Sequence, residues 1–114
     1  IYADKIMTTI YLVQNDTGSQ IKVNLTREDT GSAVDLSGAT VRLKFKKKNT
    51  ANVLSTLTAA AGSDLSNGEA IFVFAAADTD ITAGDYIGEI EVTFSDDSIE
   101  SVFETIDIVV REDF

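Results

Sequence analysis

Thr82–Phe94, TAGDYIGEIEVTF, is the stretch that decides the fold class. It opens on small turn-forming residues around Gly84 and then alternates. Tyr86, Gly88, Ile90, Val92 and Phe94 fall on one face; Ile87, Glu89, Glu91 and Thr93 fall on the other. A period of two with one apolar face predicts a half-buried β-strand. A tyrosine at the start of a late strand, just after an Asp/Gly turn, suits a side chain that locks a corner between two packed sheets. This strand is therefore expected at the centre of the core.

The flanking chain carries the same signal. In Gln20–Thr26, Ile21, Val23 and Leu25 face one way, and in Thr40–Lys46 so do Val41, Leu43 and Phe45. Between them Gly31 and Gly38 supply turn freedom, while Val34 and Leu36 are expected to anchor the connection against the core. Thr9–Val13 reads as a strand apolar on both faces. Ala70–Phe74, also apolar on both faces, reads as a central strand, and Thr50–Ala61 as a weaker, short one. Asn67-Gly68 marks a turn, and SDDS (Ser95–Ser98) a tight hairpin loop. The exit stretch Ile99–Val110 does not keep one phase, since Phe103 belongs to one register and Ile106, Ile108 and Val110 to the other. A bulge near Glu104 and Thr105 would reconcile them. With about seven antiparallel strands and turn signals every 8–12 residues or so, the pattern is that of a β-sandwich. The 114 residues suffice for one such domain, spanning 1–114 with residues 1–8 read as an extension to it.

Composition narrows the chemistry. The chain has no His, removing the usual general base and the commonest transition-metal ligand. It has no Cys, hence no thiol nucleophile or disulfide, and no Trp or Pro. A formal net charge of −10 argues against a nucleic-acid surface. No apolar run approaches the ~20 residues of a helical membrane span. Many Ser and Thr without an activating partner leave no nucleophile pair, so an enzyme is not expected.

Three features invite a functional reading. Arg42, Lys44, Lys46, Lys47 and Lys48 hold more than half of the nine basic residues. They would form a phosphate patch, or, with outward Glu89, Glu91, Glu100 and Glu104 on neighbouring strands, a solvated ion ladder. The ladder is preferred, because no aromatic side chain interleaves the lysines. Asp78, Asp80, Asp85, Asp96 and Asp97 sit in loops; they lack a full calcium-loop spacing and suit helix caps and Asx-turns, leaving weak calcium binding at most. The third feature is the N-terminal segment. Ile6, Ile10 and Leu12 form one apolar row and Met7, Tyr11 and Val13 another. One row is expected to stay wet, so that residues 1–13 contact a neighbouring subunit or another protein, by strand addition or by packing the second row; the alternative is that the segment crosses from one sheet to the other midway and buries different rows in its two halves.

Four segments in order, NDTGSQIKVNL, DTGSAVDLSGATVRLKF, NGEAIFVFAAADTDITAGDYIGEIEVTFSD and IDIVV, resemble the N-terminal immunoglobulin-like domain of phage baseplate upper proteins and related tail-fibre modules. Val34–Val41, Asn67-Gly68 and Asp78–Asp96 carry most of the likeness, which runs from about Asn15 to Val110. Where the family often has Gly in the last hairpin, Asp97 stands here. The resemblance implies an immunoglobulin-like sandwich and a structural role in the virion, made in the bacterial host cytoplasm. Its partners would be other tail or baseplate proteins and further copies of the chain, with no nucleic acid and no membrane. Gly38 and Gly84 would permit tight turns, Leu36 would anchor a loop and Tyr86 would lock a corner. The family brings no catalytic, cofactor-binding or metal residues to carry over. A different class, a carbohydrate- or ligand-binding module of a bacterial surface protein, would need exposed aromatics, for which Tyr2 and Tyr11 are the candidates.

Overall fold

A computed structural model describes residues 2–4, 9–15, 17–27, 30–50, 52–60, 63–102 and 105–113. The alternating stretches form the expected strands: β1 (Tyr2–Asp4), β2 (Thr9–Val13), β3 (Gln20–Thr26), β4 (Thr40–Lys47), β5 (Val53–Thr58), β6 (Glu69–Val73), β7 (Gly84–Thr93), β8 (Ile99–Ser101) and β9 (Ile106–Arg111). A single 3-10 turn, Leu65–Asn67, precedes β6, and one turn of helix, α1 (Ala76–Thr79), precedes β7. Two sheets face each other. One has the order β1-β3-β6; the other has β2-β9-β7-β4-β5, with β8 on the far end of β7.

β7 lies in the middle of the larger sheet, as its alternation predicts. It pairs with β4 from Thr40↔Thr93 to Lys47↔Tyr86, so Val41, Leu43 and Phe45 share the inner face with Tyr86, Gly88, Ile90 and Val92, all buried. Gly88 stands opposite Phe45. A Cβ there would lie 3.0 Å from Leu43 Cδ1 and 3.5 Å from Ile108 Cδ1, so the missing side chain leaves room for its large neighbours, as close-packed interiors require. Phe45 also binds the sheets together. Its ring centroid is 5.9 Å from Phe74, at the end of β6, and 6.3 Å from Tyr86 in an edge-on arrangement. Such contacts add about 0.5–1.5 kcal/mol beyond area burial.

Three expectations change. First, the strands are not all antiparallel: β2 runs parallel to β9, from Thr9↔Asp107 to Val13↔Arg111. Second, the N-terminal segment does cross between sheets, since β1 pairs with β3 in one sheet and β2 with β9 in the other. The nine strands among the described residues thus occupy about the seven positions expected, because the first and last lines are each split in two. Third, β6 is not central but ends the smaller sheet. Of its apolar outer residues Ile71 is half-buried and Val73 exposed, and the loop that follows β5 hydrogen-bonds the strand's edge. In the exit stretch the register against β7 shifts by two residues between Glu91↔Ser101 and Gly88↔Ile106. Val102 donates to the Ile90 carbonyl and Ile106 pairs with Gly88. Two extra residues preserve parity, and Val102, Ile106, Ile108 and Val110 are all buried. Phe103 and Glu104, on which the phase change was read, lie outside the described residues.

Candidate functional site

The geometry at Tyr86 is that of a locked corner. Its ring is buried at 2% exposure, and its hydroxyl donates to the Thr82 carbonyl four residues earlier at 2.5 Å. Burial raises the phenol's pKa above its ordinary value. Just before it Gly84 adopts φ +149°. Gly38 has φ +74°, with space at its Cβ position up to Ser95 Cβ at 3.8 Å. Leu36 is fully buried; its N–H donates to the Leu65 carbonyl, and Val34 beside it donates to the Leu25 carbonyl. These residues shape the sandwich.

The basic cluster does not form one patch. Lys44 Nζ donates to Glu91 Oε2 at 2.9 Å, and in the register Arg42 opposes Glu91 and Lys44 opposes Glu89. Lys47 and Lys48 run out, exposed, at the end of β4. Glu100 corrects the expected ladder. It opposes Val92, whose side chain points inward, so it leaves the outer face and meets Arg27 of the other sheet at 3.1 Å. Glu104 lies outside the described residues.

The acidic loops are used locally. Asp78 Oδ2 accepts the Ala75 N–H at 2.8 Å, the reach-back of a capping box, and its Oδ1 accepts the Ser55 hydroxyl at 2.6 Å. Asp96 accepts both the N–H and the hydroxyl of Ser98. Among the described residues no three Asp, Glu, His or Cys side chains are grouped so as to hold a metal ion.

The apolar strip of the N-terminal segment is divided by the pleat. Leu12 is buried at 3% exposure, opposite Val110, and so belongs to the domain's own core rather than to an interface. Tyr11 is 77% exposed and opposes half-buried Val109 on the outer face; Val13 is half-buried. Ile10 is registered opposite Ile108, and Ile6 lies outside the described residues. Two residues that the hydrophobic pattern did not single out hold this strand in place. The Gln14 N–H donates to the Arg111 carbonyl and its Nε2 to the Ile81 carbonyl, while the Asn15 N–H donates to the Thr79 carbonyl. Asn15 adopts φ +64°. The strand's remaining edge pairs with no other strand among the described residues. β6 differs: on its outer edge Ser63 Oγ accepts the Ile71 N–H and the Ile71 carbonyl accepts the Ala60 N–H.

No family model matches the chain, and no curated protein matches it. Among solved structures it is similar to CopC from Methylosinus trichosporium OB3b, with 12% identity, 99% of this chain and 95% of that chain covered, and a TM-score of 0.53. It is also similar to murine CRIg, with 9% identity, coverage of 92% and 93%, and a TM-score of 0.44. At such identities the first likeness speaks to fold alone. The chain is an immunoglobulin-like β-sandwich.

Proposed function

We propose that this domain is a non-enzymatic assembly module of a phage or prophage tail baseplate, docking onto other tail proteins and supporting receptor-binding parts. The observation that carries the reading is the open edge of β2 with Tyr11 beside it. An uncovered strand edge invites another chain to add a strand. Here it carries no Lys or Pro guard, whereas the outer edge of β6 is covered by the loop that follows β5. Tyrosine supplies large contact area at low entropy cost and is enriched among the residues that dominate binding. A five-residue edge gives modest affinity against association costs of about 4–15 kcal/mol. That suits a particle in which many copies engage at once. The sequence likeness to baseplate domains supports the same role.

The test is reconstitution with the tail proteins encoded beside it, followed by sedimentation. The wild-type chain joins a complex, and Tyr11→Lys, which alters an exposed side chain, loses it while melting at the same temperature. If the chain joins no complex with those proteins and instead binds glycans on an array in the micromolar range, the reading fails in favour of a carbohydrate-binding module.

A further inference from the structure

We propose that Asn67–Gly68 is a latent deamidation site that the native turn holds inert, and that unfolding releases it to a modification which then disfavours refolding. Of the chain's five asparagines, Asn67 alone precedes glycine. That pairing is chemically the most exposed to deamidation, because no side chain shields the following backbone nitrogen. In the reaction the Gly68 nitrogen attacks Asn67 Cγ and the N–Cγ bond forms. The Cγ–Nδ2 bond breaks and ammonia leaves with the proton displaced from nitrogen. Water then opens the cyclic imide at either carbonyl, giving Asp or isoaspartate.

The native turn obstructs each requirement. The nucleophilic nitrogen is occupied, since the Gly68 N–H donates to the Leu65 carbonyl at 3.1 Å. The peptide beyond is pinned too, because the Gly68 carbonyl accepts the Leu25 N–H at 2.8 Å. Gly68 is buried at φ +75°, and a Cβ there would lie 2.6 Å from the Leu25 carbonyl oxygen and 3.1–3.2 Å from the Val34 backbone. The 67–68 peptide therefore has no space to swing into the geometry that closes the imide ring. The target amide is held as well: Asn67 Nδ2 donates to Asp64 Oδ2 at 2.9 Å. Reaction requires this turn to open, so its rate in the folded protein is reduced by the opening equilibrium.

The same contacts make the product a poor fit. An Asp at 67 places a carboxylate where an amide N–H₂ had donated, against the Asp64 carboxylate, and like charges at that distance repel. Isoaspartate inserts a carbon into the backbone between two pinned peptide groups.

The full chain is incubated above neutral pH, folded and in urea, and modification at 67 is followed by mass spectrometry of the peptide. The folded chain is expected to react about tenfold or more slowly; equal rates would overturn the protection. The second half is read from Asn67→Asp, expected to lower the urea midpoint or to fail to fold. A variant with the wild-type midpoint, together with isoaspartyl chains that refold as well as unmodified ones, would refute it.

Discussion

Replacing Tyr86 by Phe removes one oxygen and leaves the ring in place against Phe45. A net intramolecular hydrogen bond contributes about 0.5–1.5 kcal/mol, and more when its loss strands a buried partner. Thr82 is exposed, so its carbonyl regains water and the larger penalty does not apply. The expected loss at neutral pH is therefore about 1 kcal/mol, or roughly 4 °C in melting temperature for a domain of this size. Tyr86→Ala also deletes the ring and is expected to cost about 3–5 kcal/mol. The hydroxyl leaves a second mark. Burial raises its pKa above the ordinary 10.0, so the folded state favours the neutral phenol. The stability this supplies is complete below the unfolded pKa and is lost as pH rises through the folded value. Urea titrations of wild type and Tyr86→Phe from neutral to strongly alkaline pH read both effects, and lysine titration cancels in the difference. The wild type's advantage shrinks above about pH 10. Equal midpoints at neutral pH, or an advantage that grows with alkalinity, would show that the corner hydrogen bond does not stabilise the fold.

Three further outcomes are expected. Asp97 sits at φ +68° in a three-residue hairpin loop closed by the Phe94 N–H to the Ser98 carbonyl. Glycine is the residue suited to that position, so Asp97→Gly should raise stability by about 0.5–1 kcal/mol in urea denaturation. The carboxyls of Asp35 and Asp96 lie below their ordinary pKa of 3.8, held there by bonds from Ser37 and Ser98 hydroxyls and N–H groups. Their contribution is present above that value and disappears as pH falls through the lowered ones. Asp35→Asn with Asp96→Asn should accordingly flatten the acid limb of a stability–pH curve, and an unchanged limb would count against those bonds. Millimolar calcium should leave the melting temperature within a few degrees, because a tight site would raise it by mass action; a rise of many degrees would reveal one.

Local alternation let the sequence alone determine a large part of the sandwich. Strands β3, β4 and β7, the inward set Val41, Leu43, Phe45, Ile90 and Val92, and the buried anchors Val34 and Leu36 were all legible, because the pleat turns a period of two directly into an inside and an outside. The pairing of β4 with β7, and with it Lys44 beside Glu91, came from the expected sandwich order. Tertiary structure decided whatever depends on which strand lies next to which. The N-terminal segment read as two apolar rows, yet only the crossing of β1 and β2 into different sheets sent Leu12 into the core and left Tyr11 outside. β6 looked central because apolar residues on both faces cannot distinguish a buried strand from an edge strand covered by a loop. Glu100 was expected on the outer face of a neighbouring strand, whereas the hairpin's phase turned it toward Arg27 of the other sheet. The parallel pairing of β2 with β9 joins residues about a hundred positions apart, and no local pattern records which distant backbone completes a strand's hydrogen bonds.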